Sequence, residues 1–300
     1  MRLIYIIQSI LIALFVSLLV LFFFSYTKPK SFDFDPITQK IKGIRNLSSL
    51  QFAGEEVPLK LPDVAERLER ELLSNTYQHT STLLHLKLAN RYLPIAERIF
   101  KEEGLPDDLK YIAVAESSLR NAISLAGAKG IWQFKEDAAK ELGLTINEYV
   151  DERNHFEKAT RAAAQYLKKQ ELRFNSWALA CAAYNMGPTA LASAMKEQLE
   201  NSYYDLNLSD ETNRYLFRII AIKEIMTFPE KFGFMLDETD CYVKLDKFYE
   251  IKIDSSISSL AQFAHDNGIS YRELKIYNPW LLKSSLINKS GSSFYIRIPN

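Results

Sequence analysis

Cysteine is nearly absent: the 300 residues hold two, Cys181 and Cys241. That excludes a disulfide framework, and with four scattered histidines it also excludes a recognisable Cys/His zinc site. No metal and no cofactor is expected. Neither sign of charge is in excess, since Lys+Arg and Asp+Glu both number 37. Without a global basic field to neutralise a phosphate backbone, nucleic acid is not an expected partner. Glycine and proline are sparse at ten each, which excludes collagen-like and low-complexity chains. What remains, 47% hydrophobic and 25% charged, is ordinary globular composition, enough for one large domain or two small ones.

The long apolar run lies at the start. Leu3 to Phe24 is 22 residues without a charge, long enough to cross a bilayer. The exit, Phe22-Phe23-Phe24-Ser25-Tyr26, offers no small-x-small cleavage site, so residues 1–26 read as a membrane anchor, an uncleaved signal. Arg2 on one side faces Lys28 and Lys30 on the other, so charge alone does not set its orientation. Residues 27–61, with Pro29, Pro36, Gly43, Gly54 and Pro58 and little periodicity, read as a tether and lead-in.

From Pro62 the pattern turns helical. Val64, Leu68 and Leu72 repeat every four residues; Ser81 can cap a segment through Leu84, Leu88 and Tyr92; and Pro94 is expected near the first turn of the next helix. Thr145-x-x-Glu148 has the form of a capping box, Ser176 can cap the helix from Trp177, and Ser209 or Asp210 the helix through Ile225. Residues 62–236 are therefore expected to form a helical domain. After a boundary near 237–245, strands at Phe248 to Ile253 and Phe294 to Ile298 flank helices at Ile257 to His265 and Tyr271 to Tyr277. That order makes a small, separate βααβ module over 246–300.

Glu116 is the strongest local anomaly. On a helix from Asp107, Leu109, Ile112 and Glu116 share one stripe, so a carboxylate continues an apolar face. Desolvation and the carbonyl dipoles of a last helical turn both raise a carboxyl pKa, and a carboxyl protonated near neutral pH is a general acid. The same pattern also fits a glutamate that reaches solvent or meets a cation. Downstream, Ser124 to Phe134 holds Gly127 and Gly130 followed by Trp132 and Gln133, a loop able to approach a ligand closely. Ala183-Tyr184-Asn185-Met186-Gly187-Pro188 ends a helix with a phenol and an amide at its terminus.

The order of these pieces, Glu116-Ser117, Ser124 to Gln133, Ala183-Tyr184-Asn185-x-Gly187, then Glu211-Thr212 with Tyr215, resembles the catalytic domain of the soluble-type lytic transglycosylases, the goose-lysozyme-like fold. Phe52-Ala-Gly-Glu-Glu-Val-Pro58, Asp151-Glu152-Arg153 and Thr160-Arg161-Ala-Ala resemble the membrane-bound D type among them. The resemblance covers about residues 50–236. It implies a mainly α, lysozyme-like catalytic domain, with Glu116 as the catalytic acid/base and Ser124, Gln133, Tyr184, Asn185 and Tyr215 binding substrate. Lys135-Glu136 departs from the family's usual Met-Pro, and a solvated lysine is expected there. The C-terminal module, with Asn278-Pro279 and Tyr295 to Pro299, looks like a degenerate LysM module: Ser255-Ser256-Ile257 replaces the usual Gly-Asp-Thr.

The activity so implied is non-hydrolytic cleavage of the β-1,4 bond between N-acetylmuramic acid and N-acetylglucosamine, leaving 1,6-anhydro ends. The partners would be peptidoglycan strands and, through the first helix, a membrane, which places the domain in the cell envelope facing the periplasm or wall. Two alternatives stand beside it. A goose-type lysozyme would hydrolyse the same bond with a second acidic residue, Asp151 or Glu152 being nearest in sequence, although a structural ion pair with Arg153 suits these two better. A weakly active wall-binding scaffold would only hold the glycan.

Overall fold

The computed structural model describes residue 2 and residues 4–8, 14–19, 49–288 and 291–300. The chain divides into two units, 1–42 and 43–300. In the first, residues 4–8 and 14–19 are helical and exposed. Among the described residues no helix is long and apolar enough to cross a membrane, and half of the expected span 3–24, with the tether as far as residue 48, lies outside them.

The second unit opens with a two-stranded hairpin, β1 (Gln51–Phe52) and β2 (Glu55–Glu56). This lead-in is folded, not a free tether. Leu50, Phe52 and Val57 enter the core, and Glu55 accepts hydrogen bonds from Ser176 Oγ and from the backbone of Trp177 and Ala178. A carboxylate there complements the unpaired amides and the positive end of the helix dipole.

Helices follow: α1 (Pro62–Tyr77), α2 (His79–Glu103) and, after a 3-10 turn at Asp107–Lys110, α3 (Tyr111–Ser117). A hairpin of β3 (Ala122–Ile123) and β4 (Lys129–Gly130) precedes α4 (Glu136–Glu141). Then come α5 (Phe156–Phe174), α6 (Trp177–Met186), α7 (Pro188–Gln198) and α8 (Asp210–Thr227). Val64, Leu68 and Leu72 are buried as their spacing requires, on an α1 face that packs against α8. Glu71, also buried on α1, meets Arg214 Nε at 2.5 Å and Arg218 Nε at 3.7 Å, both on α8.

Three local expectations change. Ser81 caps nothing, because α2 begins at His79 and runs unbroken through Pro94. Pro94 is exposed within the helix, where its missing N–H removes one intrahelical hydrogen bond at a cost. The Thr145-x-x-Glu148 pattern starts no helix. Asn147 Oδ1 instead accepts the amides of Tyr149 and Val150 in a turn, and Ile146 bridges Asp151. Ser176 and Ser209 do cap α6 and α8, each accepting the amide three residues on.

The C-terminal module has the expected order: β5 (Phe248–Ile253), α9 (Leu260–Asp266), α10 (Tyr271–Tyr277) and β6 (Phe294–Pro299), with β5 and β6 antiparallel. It is not free of the helical part. Val150 is fully buried in the module's core with Leu260, Leu281 and Ile296.

Candidate active site

Glu116 lies in the last turn of α3, which ends at Ser118 in the left-handed region. Leu109 and Ile112, on its stripe, are fully buried, and Glu116 itself is half-buried. Burial pushes its carboxyl up to about 7; the hydrogen bond from Tyr215 opposes this, the charge of Glu211 adds to the rise and that of Arg218 subtracts. Tyr215, buried on α8, donates its hydroxyl to Glu116 Oε1. Glu211, Tyr215 and Arg218 are spaced i, i+4, i+7, so one face of α8 supplies the hydrogen bond and the two charges that act on this carboxyl.

The 122–134 loop is tied to α3 and α6 by its own backbone. Ser117 Oγ donates to Ile131 O at 2.8 Å, and Tyr184 donates its hydroxyl to Trp132 O at 2.6 Å. Trp132, fully buried, donates its indole N–H to Thr160 Oγ1 at 2.9 Å. Burial, reinforced by the charge of Glu116, holds the Tyr184 phenol well above its ordinary range, so it serves as a donor. Gln133 has φ +51°, a conformation uncommon for a residue with a side chain, and its amide nitrogen donates to Gly130 O at 2.7 Å and Ala122 O at 3.1 Å. A strained backbone held this way fits a functional loop.

The remaining expected residues fall nearby in different ways. Asn185 donates to Glu211 Oε1 at 3.3 Å and accepts from Thr212 Oγ1 at 2.7 Å, joining the end of α6 to the start of α8. Ser124 sits at the tip of the β3–β4 hairpin, where its hydroxyl accepts the Ala128 amide at 3.0 Å and closes the turn. Lys135 is exposed at the start of α4.

Asp151 and Glu152 are not disposed as catalytic bases. Asp151, 2% exposed, receives Arg153 Nε at 2.9 Å, Arg153 Nη2 at 2.8 Å and Lys129 Nζ at 2.9 Å. Burial alone would raise its carboxyl, but hydrogen bonds from Arg153 and Lys129 outweigh that and hold it below the ordinary range. Glu152 accepts the Thr145 amide at 2.7 Å and pairs with Lys158.

Sequence reasoning passed over Arg218, Lys129 and the anchoring role of Ser117; the ion pair of Asp151 with Arg153 is as expected, with Lys129 joining it. The 211/215/218 spacing was the available signal for Arg218. Nothing local marks Ser117 as the anchor of a carbonyl fourteen residues away.

Residues 94–207 match the family model described as the transglycosylase SLT domain, and residues 249–300 that of the soluble lytic transglycosylase C-terminal LysM-like domain. Membrane-bound lytic murein transglycosylase D of Escherichia coli K12 is 27% identical over 257 residues, which cover 83% of this chain and 55% of that protein. The protein of the same name from Escherichia coli O6:H1 gives the same figures. The chain thus spans about half the length of these curated relatives. Among solved structures, an inactive mutant of the lytic transglycosylase Slt from Pseudomonas aeruginosa is 21% identical with a TM-score of 0.38, over 51% of this chain and 26% of that one. The chain carries an SLT transglycosylase domain followed by a LysM-like C-terminal domain, and is homologous to the membrane-bound lytic murein transglycosylase D of Escherichia coli.

Proposed function

We propose that the chain is a peptidoglycan lytic transglycosylase, with its catalytic domain over 62–236 and its LysM-like module over 246–300. The reaction would run on one carboxyl. Glu116, protonated, gives its proton to the glycosidic oxygen as the C1–O bond of N-acetylmuramic acid breaks, and the sugar's own acetamido oxygen attacks C1. The carboxylate left behind then takes the proton of the C6 hydroxyl, whose oxygen closes on C1 and expels the acetamido oxygen. The observation that carries this reading is the carboxyl pushed up to about 7 under the Tyr215 hydroxyl, beside a loop pinned by Ser117 and Tyr184. Asp151 and Glu152, the carboxylates nearest in sequence, are committed to cations.

The experiment is Glu116→Gln assayed on purified sacculi. Cleavage should fall by about 10²- to 10⁴-fold or more, because the amide keeps the shape but cannot cycle a proton. Wild-type turnover in the pure variant would remove Glu116 from the mechanism.

One observation favours a second reading. Glu211 is exposed, is held by Asn185 and acts electrostatically on Glu116, so a hydrolytic, lysozyme-type reaction would draw its base from Glu211. The products separate the two.

The apolar run at residues 3–24 supports anchorage in a membrane of the cell envelope with the globular unit on the wall side. Full-length protein should stay in the membrane fraction through alkaline carbonate extraction. Release into the supernatant would count against the anchor.

A further inference from the structure

The module grips one short segment of the catalytic domain. Asp151 N donates to Trp280 O at 2.9 Å, Leu282 N donates to Tyr149 O at 2.8 Å, and Val150 and Leu281 form an antiparallel bridge between these bonds. Val150 is buried in the module's core, not in the helical one. Asn154 Nδ2 reaches Pro279 O at 3.5 Å, and Arg297 of β6 pairs with Glu157 of α5. Residues 149–154 are therefore held from one side by the 278–282 turn.

From the other side the same segment holds the loop of the candidate active site. Asp151 pairs with Lys129, and Arg153, braced in a two-pronged pair by Asp151, donates from Nη1 to Phe134 O at 3.2 Å and toward Gly127 O at 3.5 Å. The Arg153 carbonyl lies so close to Gly130 that a Cβ there would sit 2.0 Å from its oxygen. The loop is thus contacted at 127, 129, 130 and 134, either side of the positive-φ Gln133. The named hydrogen bonds and ion pairs of this chain end on the loop, not on Glu116 or its α8 neighbours.

We propose that the LysM-like module is a clamp on the cleavage site: its 278–282 turn fixes residues 149–154, and Asp151 and Arg153 act as positioning residues that set loop 124–134, with Ser124 and Gln133, against Glu116. This rests on the reading of the Glu116 groove as the site of cleavage. The module then contributes to turnover on substrates too short to reach it, which a tethering or purely stabilising module would not do.

The test is Asn278→Ala in the full chain. Asn278 is buried, donates to Leu274 O and Arg297 O, and accepts the Arg297 amide, so its loss loosens the gripping turn without touching the groove. On a soluble uncrosslinked tetrasaccharide of alternating N-acetylglucosamine and N-acetylmuramic acid, kcat should fall about tenfold while KM changes less than about twofold. The pH at which activity declines should stay in place, because the neighbours of Glu116 on α8 are undisturbed. Amide exchange at Ala128, Lys129 and Gln133 should accelerate. Arg153→Lys, which keeps the charge beside Asp151 but cannot span to the Phe134 carbonyl, should give the same kcat loss and the same faster exchange in the loop, with the module's own amides unchanged. Wild-type kcat and wild-type exchange in the loop, with faster exchange inside the module of the Asn278→Ala protein, would overturn the clamp. Should Asn278→Ala fail to fold, Arg153→Lys decides alone: unaltered loop exchange overturns the proposal. An inactive wild-type protein would defeat the proposed function, whereas the exchange measurements would still decide the coupling.

Discussion

Glu116 combines two effects of opposite sign. Burial favours its neutral form, while the Tyr215 hydroxyl and the Arg218 charge favour the anion. Since its folded pKa of about 7 lies above the ordinary 4.5, the folded state binds the proton more tightly than the unfolded chain. The residue is therefore neutral to stability below pH 4.5 and increasingly destabilising as pH climbs to about 7, by an amount on the order of 1–3 kcal/mol above that. Glu116→Gln should accordingly be more stable than wild type at pH 8 and equal to it at pH 4, as read by chemical denaturation at both values; equal stability at both would deny the buried charge. Tyr215→Phe removes a donor to the anion, so the carboxyl pKa rises further and the alkaline limb of the rate profile should move to higher pH. A limb that moves down or stays would contradict the Tyr215 contact. The anomaly at Glu116 was legible in sequence because the stripe of Leu109 and Ile112 is local. Its tuning was not, because Tyr215 and Arg218 come from a helix a hundred residues away, and only the resemblance to a known family drew Tyr215 in.

At the scale of elements, short pieces place the site and long ones carry them. α3 is two turns long, yet its end is fixed by Ser117 on the Ile131 carbonyl and by Tyr215 from α8. The β3–β4 hairpin depends on Gly130, which has φ +85° and faces the Arg153 carbonyl. Gly130→Ala should cost about 2–4 kcal/mol of stability and displace the loop that carries Gln133, lowering turnover as well; a variant with wild-type stability would show that this close approach is not enforced. Helix caps at Ser176 and Ser209 could be read ahead because a cap is chemistry between residues three apart. Pro94 and Thr145 misled for a shared reason. Whether a helix runs through a proline depends on which face the proline presents, and whether a capping-box pattern starts a helix depends on what it packs against. Pro94 faces solvent within α2, and the segment after Thr145 turns through Asn147 to meet the module.

The whole molecule differs most from what its sequence suggests. The strand segments at 248–253 and 294–298 around two short helices mark the module plainly, and a separate domain is the natural reading. Its docking surface carries no such signal: Val150 reads as one apolar residue in a loop, and the bonds that join 149–151 to 280–282 are backbone bonds, blind to side-chain identity. The same arrangement ties Asp151 into the scaffold and removes it as a rival base, so the proposed reaction would rest on Glu116 together with the substrate's own acetamido and C6 hydroxyl groups. A tethered hydroxyl at the correct pucker outcompetes bulk water by orders of magnitude in effective concentration. The most direct test is a mass spectrum, before and after borohydride, of the muropeptides released from purified sacculi by the wild-type protein. Products lighter by one water than the hydrolysed species and resistant to reduction are predicted; mainly reducible ends would contradict single-carboxyl transglycosylation and shift the assignment to a hydrolase with Glu211 as its base.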